Sequence, residues 1–213
     1  MRIVIAGGHG RIALRLARLL GPAAVGLVRD PAHVPDVEAT GAAAVVCDLE
    51  RAGVDEVTEI VRGADAVVFA AGAGPGSGAA RKDTVDRGAS VLMADAAERA
   101  GVRTFVQISS MGAGRPPAPG TDEVWAAYLK AKTEAEDDLR RRDLDWTIVR
   151  PGRLTDEPGT GLVLLAPEAP PGSVPRDDVA AVIAALLRSA GTGRRTLELV
   201  SGDTPIAALI ATQ

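Results

Sequence analysis

Aromatic side chains are rare in this sequence: they make up 2% of its 213 residues, as two Trp, two Phe and one Tyr. The core must therefore be built from Ala, Val, Leu and Ile, and the hydrophobic fraction of 46% is ordinary for a globular protein. Cysteine is rarer still. Cys47 stands alone and cannot form an internal disulfide, which fits a reducing compartment.

Clustered positive charge and long apolar runs are also missing. The formal net charge is −4 and no block of Lys or Arg stands out, so we expect no nucleic-acid partner. No run reaches the roughly 20 apolar residues of a membrane span. The apolar start, Met1–Ala6, is too short for a signal peptide. We therefore expect a cytoplasmic protein without membrane contact. His9, His33 and Cys47 lack metal-ligand spacing, and no metal site is predicted.

Short apolar runs alternate with helical patterns along most of the chain. The predicted strands are residues 3–6, 25–28, 43–46, 66–70, 104–109, 146–149 and 197–200. Helical spacing begins at Ile12, and the further predicted helices are residues 54–61, 85–100, 121–142 and 177–188, with a short one after Pro205. Gly101 is predicted to end the helix at residues 85–100, and Thr121 is predicted to cap the helix at residues 121–142.

This alternation predicts an α/β fold, a doubly wound parallel sheet of the Rossmann type. We expect one domain over residues 1–213. Residues 152–175, which are rich in Pro and Gly, and the C-terminal segments would form a minimal substrate-side extension.

Glycines follow the first predicted strand in a recognisable spacing. Gly7, Gly10 and Ala13 form a G-x-x-G-x-x-A pattern between a predicted strand and a predicted helix. Glycine lets the backbone approach a pyrophosphate, Ala13 lets the helix pack on the strand, and the free N–H groups of the helix attract the anion. The pattern therefore predicts a dinucleotide site, although any tight turn also favours glycine.

The residue after the second predicted strand indicates the dinucleotide. NAD enzymes usually place an acid about 20 residues past the glycine turn, where it holds the ribose 2′-hydroxyl. Arg29 is instead a cation suited to a 2′-phosphate, and Arg11 could add a second contact. NADP is therefore predicted, and NAD is kept as the less favoured alternative because an acid, Asp30, follows Arg29. The alternative is that both arginines are solvated surface residues.

Two later strand ends also suit a nucleotide. Asp48 could accept a hydrogen bond from an adenine amino group, and a turn aspartate is the equally simple interpretation. Residues 70–74 are almost without side chains, which would let a ribose lie along the sheet edge.

Tyr128 and Lys132 are four residues apart on the long predicted helix and so share one face. An ammonium near a phenol stabilises the phenolate, and such a pair can act as general acid or base in carbonyl–alcohol chemistry. Ser109 and Ser110 follow the fifth strand, at the edge where open α/β sheets bind ligands. As a bare spacing, however, Tyr-x-x-x-Lys is common, and a lone Tyr is more often simply half-buried.

These residues resemble a known family, the short-chain dehydrogenase/reductases, and within it the atypical NADP-binding group also described as NAD-dependent epimerases/dehydratases. The resemblance covers essentially the whole chain. It is carried by the segments Gly7–Ala13, Val28–Arg29, Phe69–Gly74, Val85–Asp86, Ile108–Ser110, Tyr128–Lys132, Trp146–Gly152, Arg176–Ala180 and Gly202–Pro205.

The resemblance implies the site residues. Ser110, Tyr128 and Lys132 would be the catalytic trio, and Asp86 stands where the wider family has an Asn. Asp86 either pairs with Lys132 or is a structural helix residue. The residues implied at the cofactor are Gly7, Gly10, Arg11, Ile12, Arg29, Asp48, Leu49, Ala71, Gly72, Lys132 and Pro151.

Three functions are compatible with these observations. The first is an NADP(H)-dependent oxidoreductase acting on a small carbonyl or alcohol substrate. The second is a non-catalytic NADP(H)-binding redox sensor of the NmrA-like kind, which would have no need of Tyr128 and Lys132. The third is a flavin or bilin reductase, in which the hydride does most of the work. A small-molecule partner is expected in each case.

Overall fold

The computed structural model describes residues 1–74, 76–117, 120–189 and 193–210. Its strands are β1 Ile3–Ala6, β2 Ala24–Val28, β3 Ala43–Val46, β4 Ala66–Phe69, β5 Thr104–Ile108, β6 Asp145–Pro151, β7 Arg153–Thr155, β8 Leu162–Ala166, β9 Ser173–Pro175, β10 Arg195–Ser201 and β11 Thr204–Pro205. Its α-helices are α1 Arg11–Leu20, α2 Val34–Glu38, α3 Val54–Val61, α4 Ala79–Arg81, α5 Ala89–Ala100, α6 Glu123–Arg140 and α7 Arg176–Arg188.

A π-helical stretch, Lys82–Gly88, joins α4 to α5. Short 3₁₀ segments occupy Gly21–Ala23, Pro31–His33 and Ile206–Ile210. Within the described ranges, no helix is long and apolar enough to cross a membrane.

The described strands form a nine-stranded sheet in the order β11-β8-β10-β6-β5-β4-β1-β2-β3, with β7 and β9 paired separately. From β3 to β10 the neighbours run parallel, and β8 runs antiparallel to β10 and β11. The predicted α/β fold, a doubly wound and mostly parallel sheet of the Rossmann type, is confirmed.

Helices cover both faces of the sheet. Ile3 and Ile5 of β1 belong to the core that includes α1 and α7, whereas Val4 and Ala6 belong to the core that includes α3 and α5. All four side chains are fully buried, which explains why the strand is a continuous apolar run rather than an alternating one.

Several predicted boundaries need correction. The Pro/Gly-rich residues 152–175 were assigned no strand, yet β7, β8 and β9 lie there; two of them have three residues, too few for a periodic signal. The helix predicted over 85–100 begins earlier, with α4, and its residues 85–88 belong to the π-helical stretch, so α5 itself starts at Ala89. Asp122, not Thr121, caps α6, because its Oδ1 accepts from the Trp125 N–H at 3.0 Å, and α6 ends at Arg140. The short helix predicted after Pro205 is confirmed as the 3₁₀ segment Ile206–Ile210.

The topology creates a crevice at the carboxyl edge of the sheet. β1 leads into the glycine turn, β4 into residues 70–74 and β5 into Ser109. The strand order reverses between β1 and β4, and open α/β sheets bind ligands outside such a reversal.

Candidate functional site

Both the backbone conformation and the lack of space for a side chain require glycine at position 7. Its φ is +75°, and a Cβ there would lie 2.6 Å from the Cα of Ala71. The carbonyl of Gly7 accepts from the N–H of Gly10 at 2.8 Å and closes the turn. Only glycine lets the end of β1 lie this close to the end of β4.

The N-terminus of α1 favours the binding of an anion. Gly10 precedes the helix with no side-chain cap, and the first turn contains no acidic residue. The N–H groups that start a helix have no intrahelical acceptor, and the helix dipole is positive there. A phosphate group suits this end of α1, so the residues present fit a dinucleotide.

Two clefts adjoin at this edge and share Ala70–Ala73 in their walls. The smaller cleft, about 300 Å³, is lined by Gly7, His9, Gly10, residues 27–29, His33, residues 47–50, residues 70–73, Arg81, Val85 and Ala89. The larger cleft, about 530 Å³, is lined by Ile12, residues 70–74, Gly76, Ser77, Lys82, Asp86, Ile108, Ser109, Asp122, Val124, Trp125, Tyr128, Lys132 and Leu154. Because they share this wall, the two clefts form one continuous site that runs from the glycine turn to the Tyr128 face of α6.

The smaller cleft carries two arginines that converge on one carboxylate. Glu50 Oε2 lies 3.3 Å from Nη1 of Arg29 and 2.8 Å from Nη2 of Arg81. Thr84 donates to the other oxygen, Oε1, at 2.8 Å. Arg29 was predicted at a 2′-phosphate; Glu50 and Arg81 were not foreseen, because they come from distant elements.

Other residues of the smaller cleft are tied into the fold. Asp48 Oδ1 accepts from the N–H of Glu50 at 3.1 Å. The carboxylate therefore stabilises a turn, which is the alternative role that the sequence offers for it. The rings of His9 and His33, which come from different loops, stack with centroids 3.7 Å apart. Burial, with Glu56 and Asp48 nearby, raises the pKa of the Cys47 thiol to about 11.

The larger cleft brings Tyr128, Lys132 and Asp86 together. Lys132 Nζ lies 3.1 Å from Asp86 Oδ1 and donates to the Ile108 carbonyl at 3.2 Å, with both charged side chains almost fully buried. The second Asp86 oxygen accepts from the Ala73 N–H at 3.1 Å. The pairing of Asp86 with Lys132 is therefore present, and it joins α6 to the loop after β4.

Tyr128 is half-buried on the next turn of α6. Lys132 Nζ lies 5.8 Å from the Tyr128 ring centre. The ring of Trp125 is 5.0 Å away at an interplanar angle of 30° and forms an exposed wall of the cleft. A phenol and an ammonium therefore share the cleft, as general acid–base chemistry requires.

A buried network lies behind this pair. Glu136 is one helical turn beyond Lys132 and fully buried. It accepts from Ser109 Oγ at 2.6 Å, from Arg150 at 2.9 and 2.5 Å and from Arg140 at 2.7 Å. Burial alone would lower the pKa of Arg150, but the hydrogen bonds and charge of Glu136 outweigh it and raise that pKa. Glu136 was missed, although it continues the four-residue spacing of Tyr128 and Lys132.

The predicted site residues fall into four groups. Gly7, Gly10, Arg29, Asp48 and Leu49 line the smaller cleft, Ile12, Asp86, Tyr128 and Lys132 line the larger one, and Ala71 and Gly72 line both. Arg11, Ser110 and Pro151 line neither.

These three residues have other contacts. Arg11 Nη1 forms an ion pair with Asp156 at 2.9 Å, the Ser110 hydroxyl donates to the Met111 carbonyl at 3.3 Å, and the Pro151 carbonyl accepts from the Met111 N–H. Ser109, rather than Ser110, is the hydroxyl in the cleft wall. Among the described residues, no group of three or more His, Cys, Asp or Glu is placed to hold a metal ion.

A doubly wound sheet with a glycine turn at its strand-order reversal defines a dinucleotide-binding protein. The family model for NAD(P)H-binding proteins matches residues 7–190, and the chain belongs to this family.

Similar proteins cover its whole length. A Bacillus subtilis protein named as an uncharacterised sugar epimerase, YhfK, is 34% identical, with 97% of each chain covered. A Bacillus halodurans structure provisionally named as an NAD-dependent epimerase/dehydratase is 36% identical, with a TM-score of 0.91 and all of both chains covered. The oxidoreductase ylbE of Lactococcus lactis is 27% identical with a TM-score of 0.86, covering 100% of this chain and 96% of that one.

Proposed function

We propose that the protein is an NADP(H)-dependent oxidoreductase that interconverts a small carbonyl compound and its alcohol. The observation that carries this proposal is the position of Tyr128, Lys132 and Asp86 in one cleft that continues into the cleft at the glycine turn. A binding protein needs the glycine turn, but it has no use for a phenol and a buried lysine beside it.

The residues of the smaller cleft would hold the cofactor. The turn from Gly7 to Gly10 and the N-terminus of α1 would meet the pyrophosphate. Arg29, with Arg81 beside it, would meet a 2′-phosphate, which can take the place of the Glu50 carboxylate between the two guanidinium groups. Arg11 would have to leave Asp156 to reach a phosphate. When bound, NADPH supplies the hydride.

Tyr128 would give its Oη proton to the carbonyl oxygen during reduction and take it back from the alcohol during oxidation. The Lys132 ammonium favours the phenolate that this transfer leaves behind. Asp86 and the Ile108 carbonyl hold Lys132 in place through contacts of 3.1 and 3.2 Å. Asp86 is thus a positioning residue. Ser110, whose 3.3 Å bond to Met111 is long, would orient the carbonyl after a side-chain rotation.

The test is a screen of small carbonyl compounds that follows NADPH absorbance, repeated with Tyr128→Phe. Removing a general acid typically lowers the rate by 10²–10⁴-fold, so kcat should fall by that amount while NADPH affinity stays nearly unchanged. Lys130→Met is the matched control, because Lys130 is on the same helix with its side chain 76% exposed. Full activity of Tyr128→Phe would contradict the role of the phenol and favour a reductase that relies on the hydride alone.

The non-catalytic sensor is the second candidate, and one observation favours it. Neither serine hydroxyl is free in the cleft: Ser109 is bonded to Glu136, and Ser110 does not line the wall. A protein that bound NADPH in the calorimeter but reduced no carbonyl compound in the screen would fit this function instead.

A further inference from the structure

Lys82 is a buried cation that the proposed chemistry leaves unused. The chain has only three lysines, Lys82, Lys130 and Lys132, and two of them line the larger cleft. Lys82 is 8% exposed. Its Nζ donates to the Gly74 carbonyl at 2.8 Å and lies 5.2 Å from the centre of the Tyr128 ring. One of its three N–H donors is thus used, and the ammonium stays beside the proposed proton donor.

Lys82 lacks a carboxylate partner of its own among the described residues. Lys132, the other buried lysine, has Asp86 at 3.1 Å. Within the described part of the chain, no carboxylate forms an ion pair with Lys82 at 4.0 Å or less. Asp122, also in the cleft wall, instead caps α6. Buried charges in proteins are ordinarily paired because an unpaired one is costly, so an anion from outside the chain would complete this site.

The π-helical stretch explains how Lys82 comes to face the cleft. Lys82 is its first residue and Asp86 lies four positions later in the same wide turn. Both side chains line the larger cleft, where Asp86 holds Lys132 and Lys82 reaches towards Tyr128. Single turns of π-helix next to α-helices often occur at functional sites.

We propose that the substrate carries an anionic group, a carboxylate or a phosphate, next to its carbonyl, and that Lys82 binds this group. The inference rests on the proposed function, since Tyr128 marks where the carbonyl oxygen lies. Val124, Trp125 and Leu154 give the rest of the cleft an apolar wall. The substrate class is therefore a small oxo acid or oxo phosphate with a short apolar body.

The anionic group is unchanged by the reaction. During reduction a hydride from NADPH adds to the carbonyl carbon, the C–O π bond breaks, and the oxygen takes the Tyr128 proton; the products are the alcohol and NADP⁺. The phenolate regains its proton from solvent. Lys82 touches the anion rather than the reacting atoms, so its loss should raise KM more than it lowers kcat.

The experiment uses matched pairs of probes with the full chain and NADPH. The carboxylate pair is 2-oxobutyrate and its methyl ester, and the phosphate pair is dihydroxyacetone phosphate and dihydroxyacetone. The charged member of one pair should have a kcat/KM about tenfold or more above its neutral partner, as a charge-assisted hydrogen bond provides. Lys82→Met should remove this preference through KM, and Lys82→Arg should retain much of it.

Binding keeps this inference separate from the proposed function. The same four probes are titrated against the NADP⁺ complex, following tryptophan fluorescence, for wild type, Lys82→Met and the exposed control Lys130→Met; Trp125 lies in the cleft wall and the second tryptophan, Trp146, is buried away from it. Charged probes that bind wild type and Lys130→Met, but bind Lys82→Met about tenfold more weakly, support the anion site even if none is turned over. Equal binding of charged and neutral probes, or equal behaviour of wild type and Lys82→Met, would overturn it. NADPH affinity and thermal unfolding of Lys82→Met show whether that variant is folded.

Discussion

At the scale of single residues, the environment of Cys47 lowers the reactivity of its thiol. The thiol is 4% exposed in the wall of the smaller cleft. Burial, together with the negative charges of Glu56 and Asp48, raises its pKa to about 11. The thiolate is the reactive form of cysteine, and little of it exists at neutral pH when the pKa is this high.

Cys47 should therefore resist thiol reagents in the folded protein. Alkylation by iodoacetamide at pH 8 should be slow, should become faster as pH rises towards 11, and should be rapid in urea. Because the chain has a single cysteine, the label reports this residue alone. Because the pKa of Cys47 is higher in the folded protein than in the unfolded chain, ionisation of the thiol favours unfolding. The free energy of unfolding should therefore fall as pH rises from about 9 to about 11. Rapid stoichiometric labelling of the native protein at pH 8 would contradict the assignment.

Residues that act locally could be predicted, and those that act across elements could not. Gly7, Arg29 and Tyr128 each lie within a short motif, and all three line the two clefts as that motif predicts. Glu50 and Arg81 meet only because the segment after β3 packs near α4, which no spacing along the chain reveals. The same holds for Asp156, whose ion pairs bring Arg11 and Arg176 together.

At the scale of elements, the end of α5 shows how one backbone position fixes a helix boundary. Gly101 has φ +72°, and a Cβ there would meet nothing within 4 Å. Its N–H closes the helix by donating to the Glu98 carbonyl at 3.1 Å. The predicted C-cap is confirmed, and any cost of a side chain at this position is conformational rather than steric.

Gly101→Ala should therefore destabilise the protein by about 1–2 kcal/mol, because alanine disfavours the left-handed region. The measurement is the urea midpoint with an unchanged m-value. Gly88→Ala is the control: Gly88 has helical φ −58° and ψ −47° just before α5, and a Cβ there would make only ordinary contact with the Asp83 carbonyl at 3.6 Å, so this change should not destabilise the protein. A Gly101→Ala variant as stable as wild type would show that this end of α5 tolerates another conformation.

The sequence predicts the longer strands well, but it does not predict the three-residue strands or the π-helical stretch. The parallel strands β1 to β6, which are mostly apolar and buried except for the edge strand β3, are each predicted to within a few residues. β7 and β9 have three residues each, and their pairing depends on contacts far apart in the chain. The sequence predicts a helix only from Val85 onwards, so the start of the π-helical stretch, with Lys82, lies outside the predicted helix and the predicted site.

At the scale of the whole molecule, the substrate side is tied to the cofactor side. Asp156, after β7, pairs with Arg11 of α1 at 2.9 Å and with Arg176 of α7 at 2.9 Å. Arg15 of α1 pairs with Asp177 at 2.6 Å. These partly exposed pairs contribute little stability individually. They do, however, join α1 to α7 and to the segment after β7, whose Leu154 lines the larger cleft.

Calorimetric titration with NADPH and NADH tests the central claim most directly, for wild type, Arg29→Ala and the exposed control Arg18→Ala. If Arg29 meets the 2′-phosphate, the charge-assisted contact of about 1.5–3 kcal/mol gives NADPH a roughly 10- to 150-fold advantage in wild type and in Arg18→Ala. Arg29→Ala should lose that advantage by weakening NADPH alone. Equal wild-type affinities for the two dinucleotides, or an unchanged preference in Arg29→Ala, would contradict the account.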